Sequence, residues 1–171
     1  MRVLVVGLGN PLYGDDGLGS CLARALSDNA FVVDGDARGF DVATSLGGYD
    51  VVYIIDVVDF LKPGEVKLIE LEAEEANPVE LTALDVHRVP PTRLVQYAKS
   101  MAGFKGKAYL IAVGAGRIDL MAPPSREALS AIGEVLRVLE GELARYGLKL
   151  ARARDVEEKV LRCYAEAGVY A

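Results

Sequence analysis

Val3-Leu4-Val5-Val6 is apolar at every position and stops at Gly7 and Gly9, which is how a strand covered on both faces meets a tight turn. The run Val51 to Ile55, ending at Asp56, and the run Ala108 to Val113 read the same way, and Phe31 to Asp34 makes a shorter strand. Helix-period stripes lie between these runs. Behind Asp15 and Asp16, apolar residues recur at Leu18, Cys21, Leu22, Ala25 and Leu26, at the spacing of one helix face. A short helix is expected near Val42 to Leu46, a second with Leu94, Val95, Ala98 and Met101 on one face, and a long one from about Ser125 to Tyr146 with Leu129, Ile132, Leu136, Leu139 and Leu143 facing the core. Glu65 to Leu71 alternates as a strand, yet only a short loop with Pro63-Gly64 separates it from the strand ending at Asp56. A parallel partner needs a crossover of about a dozen residues, so this fourth strand is expected to form a hairpin and run antiparallel. The sum is an α/β fold: a three-layer α/β/α sandwich around a mixed five-stranded sheet with strand 4 antiparallel.

A chain of 171 residues with 51% hydrophobic composition supports one sizeable core, hence one domain. Residues 1–149 carry it. Residues 150–171 form a C-terminal extension, with Arg154 to Glu166 expected as a helix packed on the same domain through Val156, Val160, Leu161 and Tyr164. Asn77 to Pro91 is polar and rich in proline, hence loop. The net charge of −6 disfavours nucleic acid and anionic membrane surfaces, which draw their affinity from Lys and Arg. No apolar run approaches the roughly 18 residues of a membrane span, and the chain opens on a strand without a targeting segment, so a cytoplasmic protein is expected. Cys21 and Cys163 are far apart and show no Cys-x-x-Cys spacing; reduced core thiols are the expectation. Asn and Gln are scarce and Trp is absent, a bias in the direction of heat resistance.

Three features carry chemistry: Gly7-Leu8-Gly9-Asn10 followed by Asp15-Asp16-Gly17, Asp56 at a strand end, and His87. In open α/β sheets, ligands sit in the crevice beyond the carboxyl ends of the strands, and all three can reach that edge. One aspartate suffices to cap a helix, so Asp15 is assigned to capping or support and Asp16 to the cleft. Asp56 could equally bond the backbone after its strand, and a lone histidine is commonly a satisfied loop residue. Two carboxylates and one imidazole suit a divalent transition metal and leave positions open for substrate. His87 is the only histidine, and Ser20 and Cys21 lie within a helix, so a serine or cysteine hydrolase triad is disfavoured.

At these residues the sequence resembles the hydrogenase maturation endopeptidases. Gly7-Leu-Gly-Asn10 through Asp15-Asp16-Gly17-Leu-Gly19 is similar to that family's N-terminal motif, Asp56 in Ile54-Ile55-Asp56 falls at its second metal-ligand position, and Asp85-Val-His87-Arg-Val-Pro90 resembles the stretch around the third. His87 and the Pro63-Gly64-Glu65 turn are most like the branch serving formate hydrogenlyase and F420-reducing hydrogenases. The resemblance covers about residues 1–147. It implies a phosphorylase/hydrolase-like sandwich and a peptidase, of aspartic type, that removes the C-terminal tail of the nickel-loaded [NiFe]-hydrogenase large-subunit precursor. Asp16, Asp56 and His87 would be the metal ligands, and these three with Asp34 the catalytic residues. The nickel is supplied by the substrate precursor, with Zn or Cd able to substitute in vitro, and the protein needs no prosthetic group of its own. Asp34-Gly35-Asp36-Ala37-Arg38-Gly39 departs from the family pattern, because Asp36 and Arg38 replace small residues. Nickel could polarise the scissile carbonyl or act only as a recognition handle; the residues leave both open.

Two other enzyme classes fit poorly. Peptidyl-tRNA hydrolases share Gly-Leu-Gly-Asn-Pro, but their early histidine is missing and the acidic charge suits tRNA badly. A dinucleotide-binding loop would need glycine at Leu12 and no aspartates facing a pyrophosphate. A non-catalytic chaperone for the hydrogenase precursor is the remaining alternative.

Overall fold

The computed structural model describes residues 1–36, 40–72, 90–151 and 154–170. The strands are β1 (Val3–Leu8), β2 (Val32–Asp36), β3 (Val51–Val58), β4 (Val66–Leu71) and β5 (Lys107–Gly114). The α-helices are α1 (Leu18–Ala25), α2 (Phe40–Ala43), α3 (Pro91–Met101), α4 (Arg126–Ala144) and α5 (Val156–Glu166), with 3-10 turns at Gly14–Gly17 and Leu46–Gly48. The strands form one sheet in the order β2-β1-β3-β5-β4. All pairings are parallel except β4 with β5. This is the mixed five-stranded sheet read from the sequence.

The apolar runs divide by strand parity, as a sheet buried on both faces requires. Val3, Val5, Tyr53, Ile55, Val57, Ile111 and Val113 face the layer of α1, α4 and α5. Leu4, Val6, Val52, Ile54, Leu110 and Ala112 face the layer containing α3 and the short α2. Helix α4 starts at Ser125, whose Oγ accepts from Ala128 N at 3.1 Å, a side-chain N-cap. No helix among the described residues is long and apolar enough to cross a membrane.

Several expectations need correction. β3 and β4 do not pair as a hairpin. β5 inserts between them, pairing with β3 over all eight residues from Val51–Lys107 to Val58–Gly114. The reason is burial: β5 is apolar on both faces, whereas β4 carries Lys67 and Glu70 and suits the sheet edge. β3 runs on past Asp56 to Val58, because Val57 and Val58 still pair with β5, so Asp56 lies within the strand. Met101 faces solvent; Gly103, at φ 69°, reverses the chain and Phe104 is buried in its place. Of the loop expected at Asn77 to Pro91, residues 77–89 lie outside the described residues.

The cysteines are not free thiols. Cys21 of α1 and Cys163 of α5 form a disulfide with Cα atoms 5.6 Å apart, across 142 residues of sequence. Both sit where α5 packs on α1, so the burial expected for each residue is also what brings the pair together.

Candidate active site

The parallel strands all present their carboxyl ends on one edge. β1 is followed by α1 and β2 on one side, while β3 lies on its other side, which makes the β1/β3 boundary the topological switch point where open sheets form their crevice. Asp16 follows β1 and Asp56 belongs to β3. Both are buried, at 7% and 9% exposure.

Glycines bring the Asp16 turn onto this edge. A Cβ on Gly9 would stand 1.7 Å from the Asp16 carbonyl oxygen, and Gly9 adopts φ 138°. A Cβ on Gly19 would meet the carbonyls of Leu8 and Ile55, both at 2.4 Å, so the first turn of α1 rests on the ends of β1 and β3. Only glycine permits such approach. The Asp15-Asp16 pair therefore occupies the 3-10 turn Gly14–Gly17 ahead of α1 instead of opening the helix, and α1 has no side-chain cap at Gly17. Asp16 Oδ2 accepts from Asn10 N at 3.2 Å, and Asp56 Oδ1 accepts from Val57 N at 2.9 Å, the backbone bond foreseen as its ordinary role.

Asp15 does not cap α1. Fully buried, it reaches the loop after β5 and accepts four hydrogen bonds: Gly116 N at 2.7 Å, Arg117 N at 2.9 Å, Ser125 N at 2.6 Å and Ser125 Oγ at 2.7 Å. It welds the Asp16 turn to the start of α4, whose N-terminus favours negative charge. Tyr164 of α5 braces the turn from behind, its Oη donating to the Gly14 carbonyl at 2.6 Å. Burial first, then the carboxylates of Asp15 and Asp16, push the Tyr164 phenol far above its ordinary pKa.

Asp34 is engaged differently. It pairs in register with Gly7, which itself pairs with Ile55, so its side chain shares the face covered by α1. Oδ1 accepts from Ser20 Oγ at 2.6 Å and Asp36 N at 2.8 Å, and Oδ2 from Arg24 Nε at 2.6 Å. That hydrogen bond, chiefly, holds the Arg24 guanidinium above its usual pKa. Asp36 occupies the left-handed region at φ 55°; residues 37–39 are not described, Arg38 among them.

His87 lies outside the described residues. Among the described residues no three His, Cys, Asp or Glu side chains group to hold a metal. Ser20, Arg24, Ser125 and Tyr164 were not singled out from the sequence as residues of this edge. Ser125 had a signal, since Pro123-Pro124-Ser125 precedes a helical stripe as an N-cap does; the others depend on tertiary contacts.

Three loops surround the edge, 10–14 after β1, 59–62 after β3 and 115–124 after β5. They are tied together by Met121 N to Leu12 O, Asp15 N to Arg117 O and Ala115 N to Val58 O. Tyr13, Phe60, Ile118, Leu120 and Met121 on these loops are exposed.

Comparison with known proteins gives the edge its context. The chain is 22% identical to the hydrogenase maturating endopeptidase HybD of Escherichia coli, with a TM-score of 0.65 over 91% of this chain and 99% of that one, a likeness of fold. It is 29% identical to the hydrogenase 2 maturation peptidase of a Thaumarchaeota archaeon, with a TM-score of 0.59 over 87% of this chain and all of that one. It is also 26% identical to the hydrogenase expression/formation protein HupD of Thiocapsa roseopersicina, over 90% of this chain and 73% of the relative. The family model HycI, hydrogenase maturation protease, matches residues 19–140, a span that includes Asp34, Asp56 and His87 and leaves Asp16 and α5 outside. The chain belongs to the hydrogenase maturation protease family.

Proposed function

We propose that this protease removes the C-terminal tail of a [NiFe]-hydrogenase large-subunit precursor and recognises it by the nickel already inserted there, through Asp16, Asp56 and His87. The observation that carries this reading is the pair of buried carboxylates, Asp16 in the turn after β1 and Asp56 in the neighbouring strand β3, at the switch point of the sheet. With the imidazole of His87 they make an oxygen and nitrogen donor set suited to a borderline divalent ion, and three donors leave room for the substrate's own ligands. The exposed side chains Tyr13, Phe60, Ile118, Leu120 and Met121 on the flanking loops favour a protein substrate over a small molecule.

The metal would arrive with the substrate, held by Asp16, Asp56 and His87, where it would supply either Lewis acidity toward the scissile carbonyl or a handle that positions the tail. The chain's own part is to grip that ion and to take a proton from the attacking water on a carboxylate, which returns it to the amine nitrogen as water's oxygen bonds the carbonyl carbon and the peptide C–N bond breaks. Asp34 supports this edge from the α1 side, since both its oxygens are engaged by Ser20, Arg24 and Asp36 N.

The test mixes the protein with nickel-loaded and nickel-free precursor and follows precursor mass. Loss of the tail from the nickel-loaded form alone is the expected result. Equal cleavage of both forms would refute nickel recognition, and cleavage of neither would refute the substrate assignment.

A further inference from the structure

Helix α5 lies outside the residues matched by the family model, yet it reaches the turn that carries Asp16. Tyr164 is 1% exposed, and its hydroxyl donates to the Gly14 carbonyl at 2.6 Å. On the other side of the same turn, a Cβ on Gly17 would stand 2.8 Å from that hydroxyl oxygen. The phenol oxygen thus sits against the first and last residues of the Gly14–Gly17 turn, with Asp15 and Asp16 between them. The helix behind it is itself fixed, through Val156 and Val160 in the core and through the Cys21–Cys163 bond one residue before Tyr164.

We propose that Tyr164 is a positioning residue for the protease reaction: by holding Gly14 it sets the place of the Asp16 carboxylate, so the C-terminal helix tunes the grip on the substrate's nickel. This rests on Asp16 being a nickel ligand. A phenol suits the task because it restrains the turn without bringing a positive charge beside a carboxylate that must meet a cation. An ordinary phenol, with a pKa of about 10, is already a neutral donor at neutral pH. The buried ring is packing; the hydroxyl is the positioning group, and phenylalanine separates the two.

Wild type, Tyr164→Phe and Asp16→Ala are compared for kcat/KM on nickel-loaded precursor and for binding of nickel-free precursor, well below the melting temperature. Tyr164→Phe is expected to lose about 10–100-fold in kcat/KM, the usual cost of removing a group that orients a metal ligand. Binding of nickel-free precursor should stay within about twofold, and the melt within roughly 5 °C, because only the hydroxyl's neutral hydrogen bonds with Gly14 and Gly17 are lost. Wild-type processing by Tyr164→Phe, with Asp16→Ala inactive, would overturn the positioning role and leave the site assignment standing. Equal losses on both precursor forms would also overturn it, as a general structural effect. Wild-type processing by Asp16→Ala would overturn the site assignment and this inference with it.

Discussion

Replacing Asp15 by alanine should cost more stability than any other single change at this sheet edge. The carboxylate is fully buried and accepts from three backbone N–H groups and one hydroxyl, at 2.6 to 2.9 Å. The Ser125 hydroxyl can turn to another acceptor; the N–H groups of Gly116, Arg117 and Ser125 cannot. Each buried donor left without a partner costs about 1–3 kcal/mol, and water entering the vacated space offsets part of it. The expected loss is therefore about 3–5 kcal/mol, the scale measured for breaking buried charged networks. For a chain of this length that lowers the melting temperature by roughly 6–20 °C. Asp15→Asn separates charge from shape. Its amide oxygen can take over the three bonds now made to Oδ2, leaving the amide nitrogen against Ser125 N, so the loss should be about 1–3 kcal/mol. Calorimetry and urea unfolding of the oxidised protein measure both variants. A melt of Asp15→Ala within about 2 °C of wild type would refute the claim that this carboxylate holds the loop after β5 to the Asp16 turn.

The remaining predictions address the disulfide, the ligand set and the long helix. Reducing Cys21–Cys163, which closes a loop across 142 residues, should remove about 5 kcal/mol on the chain-entropy account, seen as a fall of roughly 10–20 °C in the melt with two thiols titrating; an unchanged melt with both thiols free would show the bond adds nothing. His87→Ala should abolish cleavage of nickel-loaded precursor in a mass assay with the melt preserved, and Asp56→Asn should impair it; wild-type processing by His87→Ala would remove His87 from the ligand set. Gly133 and Gly141 lie in α4 on exposed turns with open space where a Cβ would stand, so Gly133→Ala and Gly141→Ala should each stabilise by about 0.5–1 kcal/mol, and a lowered melt would contradict this.

What could be read from the sequence is what depends on local pattern. The runs at Val3, Val51 and Ala108 are strands because they are apolar at both parities, and the stripe from Leu18 to Leu26 is a helix face; both patterns report burial directly. The short connection at Pro63-Gly64 correctly implied an antiparallel β4, but not that β5 would lie between β3 and β4. Strand order depends on which surfaces bury best together, and no window of sequence contains that comparison. The same limit left the role of Asp15 open between capping and support. An aspartate before a helix suggests a cap, whereas its four donors come from residues more than a hundred positions away. Cys21 and Cys163 could be read as buried, but nothing local links positions 142 residues apart. Asp16 and Asp56 were singled out because the strand before Asp16 and the strand containing Asp56 were legible, and the carboxyl edge of such a sheet is where ligands bind.

The placement of the aspartates suits the substrate-borne metal proposed above. A protein that owns its ion can let the ion organise the ligands, whereas under the proposed function this one would meet nickel only with its substrate and would need its carboxylates held in place beforehand. Here the turn bearing Asp16 is fixed from three directions. Gly9 and Gly19 let it close on the ends of β1 and β3, Asp15 ties it to the loop after β5, and Tyr164 holds its Gly14 carbonyl. These restraints on the turn are backbone N–H groups, a hydroxyl and close packing, and Arg24 bonds Asp34 on the face of the sheet covered by α1. Restraints of this kind fix the turn without adding a positive charge of their own. Rigidity at the Asp16 turn thus depends on Asp15, a carboxylate buried in the hydrogen bonds that join the turn to the loop after β5 and to the start of α4.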